Sequence, residues 1–264
     1  MDAFTGRVFF EGSQLVVADE RLRARLDRKT LSPSGAQAIA SCPSRWAGEK
    51  LLPRQDDPFG AAEIGTAVHA VLETLYGLPP HERTKERAFE ITGLLHEPPL
   101  MEGVVPPPDP FDLPRWQAAV WEKTQGVFDL EDPAAVEVAG LEREVRSHVA
   151  GVPFMGRIDM TRRDEQGRVV VRDWKSGKPK SDSHRRRYGD PHGDQATLYD
   201  LALANVDDEA PAGVEIVYTG EGVLHAPRVG AKDRQRVQEQ FVASWEAMKA
   251  SAASGRFPTT DSPV

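Results

Sequence analysis

The chain has 264 residues, of which 39% are apolar and 28% charged, with a formal net charge of −8. That length can bury a sizeable core, and the acidic balance excludes a protein that coats nucleic acid by bulk charge, so any such contact must be local. One cysteine and no long apolar run exclude a disulfide framework and a membrane span. The N-terminus lacks the basic start and apolar stretch of a secretory signal, so a cytoplasmic setting is expected.

Residues 1–30 read as a hairpin-like segment, Arg7 to Phe10 and Leu15 to Ala18 flanking Gly12. Residues 31–135 read as a helical elaboration. Ser32 and Ser34 suit the start of a helix carrying Ala36, Ala38, Ile39 and Ala40, and Pro43 ends it by disfavouring helical geometry at Cys42. Cys42 itself reads as a small buried apolar residue. Ala61 to Tyr76 has helical period and length, with Ile64, Val68, Val71, Leu72 and Leu75 on one face. His69 and Glu73 are surface neighbours on it, and a histidine satisfied by its own i+4 glutamate is the plain reading. Gly65, one turn before His69, leaves room for a close approach by another backbone or a ligand. Further helices are expected over Arg83 to Leu95 and Trp116 to Phe128, with the Pro-rich run Glu97 to Pro114 as a loop.

From Val136 to the end the pattern is that of a sheet with helices. Strands are expected at 138–145, 152–160 and 168–173, then a helix at 195–204, a strand at 214–218 and an amphipathic helix at 232–254. The stretch Val169 to Gly177 reads VVVRDWKSG, a β-branched strand whose Asp173 and Lys175 project on the same side. Alone, such a triplet is ordinarily a surface ion pair. Upstream lies Gly156 to Met160, reading GRIDM. A three-residue link, Glu165-Gln166-Gly167, with Gly167 at positive φ, pairs positions whose numbers sum to 332 and sets Asp159 opposite Asp173. A two-residue link would put them on opposite faces. Two carboxylates and a lysine in a small volume suit a hard divalent cation such as Mg2+.

These stretches resemble the PD-(D/E)XK nucleases, and among them the RecB-like exonuclease branch. The resemblance rests on GRIDM, on DWKSG, on Gln195-Ala196-Thr197-Leu198-Tyr199 as a QxxxY signature, and on Gly65 to His69 as the histidine helix, in family order. It implies a restriction-endonuclease-like αβββαβ core, a mixed sheet flanked by helices, with the nuclease core in residues 136–264 and a helical elaboration before it. It also implies that His69, Asp159, Asp173 and the carbonyl of Trp174 hold Mg2+ or Mn2+, that Lys175 acts on the attacking water, and that Gln195 and Tyr199 belong to the same site. The implied activity is metal-dependent exonuclease cleavage of DNA in recombination, repair or replication, acting on DNA ends with a possible helicase or recombination partner.

The Ser-helix-Cys-Pro entry also resembles relatives that hold an iron–sulfur cluster. Such a cluster needs four thiolates, and Cys42 is the one cysteine here. Relatives place the other three near the C-terminus, about where this sequence stops, so truncation and loss are both open.

Lys175, Lys178, Lys180, Arg185, Arg186 and Arg187 against Asp182 give a local charge of +5. Such a run is as often a solvated loop as a phosphate grip, and its place beside the proposed metal site favours the grip. Two other readings compete: a non-catalytic DNA-binding module that kept the fold, and a metal-dependent hydrolase of small phosphate esters. The first would tolerate loss of Asp159, Asp173 or Lys175, whereas the second predicts a closed pocket and no need of a basic segment.

Overall fold

The computed structural model describes residues 7–52, 56–97, 103–206 and 210–260. In chain order these form β1 (Val8–Glu11), β2 (Gln14–Val17), α1 (Glu20–Leu26), α2 (Pro33–Ser41), α3 (Pro43–Leu51), α4 (Ala61–Gly77), α5 (Lys85–Leu94), α6 (Leu113–Thr124), α7 (Val127–Leu130), β3 (Val138–Val149), β4 (Val152–Arg163), β5 (Val169–Lys175), α8 (Asp182–Tyr188), α9 (Pro191–Leu203), β6 (Gly213–Tyr218), β7 (Val223–His225), α10 (Ala231–Ser254) and β8 (Arg256–Pro258).

The main sheet runs β3-β4-β5-β6-β7. β5 and β6 are parallel and the other neighbours antiparallel, giving the mixed sheet and αβββαβ order expected from the sequence. Because strand residues alternate in direction, the sheet feeds two cores. One packs Val171, Val214, Ile216 and Tyr218 against α9, α10 and α2. The other packs Met160, Trp174 and Val217 against α4, α5 and α6. The central strands are thus held from both sides.

The N-terminal hairpin forms as expected, and the chain's last strand returns to it, Leu15 opposite Phe257. Ser32 caps α2 by accepting from the Gly35 amide at 3.1 Å, as a serine at this position should.

Several expectations need correction. The helix expected over Trp116 to Phe128 starts at Leu113 and breaks after Thr124, resuming as α7; Pro114 stands in its first turn, where a missing N–H costs nothing. The Pro-rich run lies partly outside the described residues, at 98–102. Cys42 is half-buried rather than buried, its Sγ 3.3 Å from Ser44 Oγ, and that hydrogen bond is the main reason its thiol pKa is lowered to about 7. The basic run is not a plain loop, since residues 182–188 form α8, capped by Ser181. α1, β7 and β8 were not anticipated: each is short, and β7 and β8 have three residues apiece, too few for a periodic signal.

Candidate active site

The β4–β5 link is the three-residue turn. Gly167 has φ +76, its amide donates to Asp164 O at 2.9 Å, and Asp164 N bonds Arg168 O at 2.9 Å. The pairs run from Arg163 opposite Val169 to Met160 opposite Arg172, all in the expected register. At the next step the ladder gives way. The amide of Trp174 donates to Asp159 Oδ2 at 2.7 Å, so a side chain stands in for a strand carbonyl. This pins the Asp159 carboxylate at the mouth of the hairpin and leaves its Oδ1 to face α4.

From α4 comes His69. Its Nε2 lies 2.9 Å from the Trp174 carbonyl and its Nδ1 lies 3.5 Å from Asp159 Oδ1. A carbonyl can only accept, so Nε2 carries a hydrogen. In the neutral ring Nδ1 is then a lone pair facing a carboxylate oxygen, and two acceptors so placed call for a proton or a cation between them. Burial opposes a charged ring, but the charge and hydrogen bond of Asp159, helped by Asp173, outweigh it and raise the pKa of His69. The imidazole is steadied edge-on against the Trp174 indole, centroids 5.9 Å apart, and that indole stacks on Tyr76. At Gly65 the near neighbour is a side chain rather than a backbone: a Cβ there would meet Ser176 Oγ at 3.1 Å.

A residue the sequence reading missed completes the group. Among the described residues, ligand atoms of His69, Glu142 and Asp159 lie within 4.8 Å of one another. Glu142 sits on β3 with φ +47, a left-handed conformation that costs about 1–2 kcal/mol for a residue with a Cβ. Burial and then the Asp159 charge push its carboxyl up to about 7, against the pull of its ion pair with Arg157. The signal was available: Ala150-Gly151 is a two-residue turn that pairs Val149 with Val152, and the same register carried down the strands meets Asp159 from Glu142.

Asp173 stands beside this trio rather than in it. Its Oδ2 lies 2.6 Å from Lys175 Nζ, and its Oδ1 accepts from Gln195 Nε2 at 3.0 Å. Burial first, and Asp159 second, raise its pKa to about 6 despite Lys175. Gln195 also accepts from Lys175 Nζ at 3.1 Å, so one amide clasps both members of the pair. Tyr199 Oη, 3.4 Å from Gln195 Nε2, donates to the Arg157 carbonyl at 2.7 Å and ties α9 to β4. The first residue of GRIDM explains itself here: a Cβ on Gly156 would lie 2.6 Å from Tyr199 Cε1.

His69, Glu142, Arg157, Trp174 and Lys175 line one open cleft of about 1420 Å³, bordered by Gly65, Thr66, Ser176 and Gly177. None of Lys178, Lys180, Arg185, Arg186 or Arg187 lines it. Arg185 is engaged locally, by Asp182 of α8 and by the Lys180 carbonyl just before it. Lys178 lies 3.8 Å from Glu221, Lys180 and Arg186 are exposed, and Arg187 rests over the Tyr188 ring.

The donor set fits a divalent cation: an imidazole nitrogen and two carboxylates converge, and burial with the Asp159 charge raises the Glu142 pKa even against Arg157. No helix among the described residues is long and apolar enough to cross a membrane.

Comparison with protein families matches residues 30–263 to the PD-(D/E)XK nuclease superfamily. No curated protein matches the chain. Among solved structures, a "Putative exonuclease" from Eubacterium rectale is similar at 11% identity over 92% of each chain, with a TM-score of 0.48.

Proposed function

Since the chain belongs to the PD-(D/E)XK nuclease superfamily, we propose that its cleft hydrolyses DNA phosphodiester bonds with Mg2+ or Mn2+, as an exonuclease of the RecB-like branch. The observation that carries this reading is that one open cleft is lined by Lys175 and by His69 and Glu142, whose ligand atoms converge with those of Asp159.

His69 Nδ1, Glu142 and Asp159 would hold the cation, with Asp173 at their side. A cation bound there supplies a water of lowered pKa and offsets charge building on the phosphate. An imidazole among the donors softens the site, so Mn2+ serves at least as well as Mg2+. The Trp174 carbonyl, expected as a ligand, is given another role: it accepts the His69 Nε2 hydrogen and so turns Nδ1 toward Asp159, the usual arrangement behind a metal-binding histidine. Lys175 faces the reacting phosphate, where its ammonium orients the attacking water and counters developing negative charge. Gln195 positions Lys175 and Asp173, and Tyr199 positions Gln195, so both act through other groups.

The exposed Lys178, Lys180, Arg186 and Arg187 would grip phosphates outside the cleft. Action on DNA ends and a helicase or recombination partner come with the RecB-like resemblance, and together with the cytoplasmic setting they form part of the proposal. The test is cleavage of end-labelled DNA, single- and double-stranded, linear and circular, with and without Mg2+ or Mn2+. Metal-dependent loss of label from linear substrates, with circles spared, is expected. Cutting of circles would remove the exonuclease assignment, and no cleavage of any DNA would remove the nuclease assignment.

A further inference from the structure

We infer that His192 is a further substrate-contacting residue of this cleft, its Nε2 donating a hydrogen bond to a phosphate oxygen of the bound strand. The inference rests on the nuclease reading above.

His192 is the second residue of α9 and lines the same cleft as His69, Glu142 and Lys175. Its place is fixed from below. Asp190 caps the helix by accepting from Gly193 N at 3.2 Å, and its other oxygen holds His225 Nε2 at 2.8 Å, which ties the start of α9 to the edge strand β7. His192 Nδ1 lies 2.9 Å from Tyr218 Oη, and Tyr218 is the residue of β6 opposite Lys175. The imidazole therefore sits at the level of Lys175, one strand across.

The hydrogen-bonding logic then sets which nitrogen carries the proton. Among the described residues, His192 Nδ1 is the one partner of the Tyr218 hydroxyl, and Tyr218 is buried. A buried hydroxyl left without an acceptor is costly, so the tyrosine donates and Nδ1 accepts. The ring hydrogen is then on Nε2, which has no partner among the described residues and belongs to a side chain that lines the cleft. Burial, and then the Lys175 charge, lower the pKa of His192 to about 4, so the ring stays neutral and this arrangement persists. What results is a fixed, uncharged donor beside an ammonium, in a cleft open to a strand past Ser176 and Gly177. Nearby phosphate oxygens of a bound strand supply the acceptor such a donor lacks, and donors fixed in advance are what stabilise growing charge there.

The experiment compares kcat and KM for single-stranded, end-labelled DNA in Mn2+, Mn2+ affinity by calorimetry, and Tm, for the wild type, His192→Ala, His192→Gln and Tyr218→Phe. His192→Ala should lose about 10- to 100-fold in kcat/KM, the effect of removing one donor to a charged group. Its Mn2+ affinity should not change. His192→Gln, which keeps an N–H near the position of Nε2, should recover most of the loss, and Tyr218→Phe should fall between. Wild-type kcat and KM in His192→Ala would overturn the inference and leave the nuclease reading standing. Equal losses in His192→Ala and His192→Gln, tracking a lowered Tm, would also overturn it, because the residue would then be only a packing element. A wild type that cleaves no DNA overturns both.

Discussion

Gly156→Ala adds one methyl group at the point where β4 meets α9, and the structure states what that methyl would strike. It would lie 2.6 Å from Tyr199 Cε1, 2.9 Å from Phe154 Cζ and 3.1 Å from Phe154 Cε1, against roughly 3.5–4.0 Å for carbon atoms at rest. Neither ring has somewhere to go. Phe154 is fully buried and wedged between Tyr199 and Phe241, with centroids 6.2 and 6.0 Å away. Overpacking a core in this way costs about 1–3 kcal/mol. At roughly 2–4 °C per kcal/mol for a chain of this size, Tm should fall by about 2–12 °C. The functional consequence follows from the hydrogen bonds. A displaced Tyr199 loses the Arg157 carbonyl and releases Gln195, which in turn frees Lys175 and Asp173. Cleavage should therefore drop well beyond what the lost stability explains at a temperature where the variant is folded, while Mn2+ affinity at His69, Glu142 and Asp159 holds. Thermal denaturation, calorimetric Mn2+ titration and the end-label assay measure the three quantities. A variant with wild-type Tm and activity would refute the claim that this contact positions the site, and equal loss of metal affinity would refute the division between the metal donors and the Lys175 clasp.

Lys175→Ala should lower turnover by about 10²–10³-fold or more while leaving Mn2+ binding largely intact, and full cleavage at saturating metal would sink its assignment. Arg186→Ala with Arg187→Ala should weaken DNA binding alike across sequences and flatten the log–log salt dependence by about 1.5–2, measured by fluorescence anisotropy; an unchanged slope returns these arginines to plain solvated surface. Metal-free protein should lose Tm as pH rises from about 5 to about 8. Glu142 and Asp173, raised to about 7 and about 6, keep protons in the folded state that the unfolded chain has already released, so the folded state binds more protons in that window and stability falls as pH increases. Excess Mn2+ should abolish the slope by replacing those protons, and a flat profile without metal would contradict the crowding of carboxylates.

Much of this site was legible because hairpin geometry converts sequence spacing into facing. The three-residue link with its positive-φ Gly167 was enough to set the register of β4 against β5. What stayed hidden had other causes. Glu142 lies in a segment, LEREV, whose charges read as solvated alternation, and its role depends on a left-handed kink that a glutamate does not advertise. Asp173 shares a register with Asp159, yet the ladder ends one step before that pair because the Asp159 side chain captures the Trp174 amide. Register predicts which residues face one another, but not when a side chain will take a backbone hydrogen bond for itself. In the basic run, spacing likewise does not show that Arg185 pairs with Asp182 of its own helix.

The placement of charge explains how a chain of −8 can be read as one that holds DNA. Glu131, Arg172, Glu215 and Arg162 form a network on the face of β5 and β6 away from Lys175, with Arg172 Nε 2.9 Å from Glu215 Oε2 and Arg172 Nη1 paired to Glu131. Those carboxylates are neutralised inside the fold. Glu142 and Asp159 converge with His69 where a divalent cation fits, and Asp173 stands beside them on its Lys175 pair. Binding that cation turns the local sign of the cleft from repelling a phosphate toward attracting one, so metal and DNA should bind cooperatively, each strengthening the other by the same factor. Net charge over the whole chain bears on solubility. The charge that a phosphate meets in the cleft is that of a few side chains and the ion they hold.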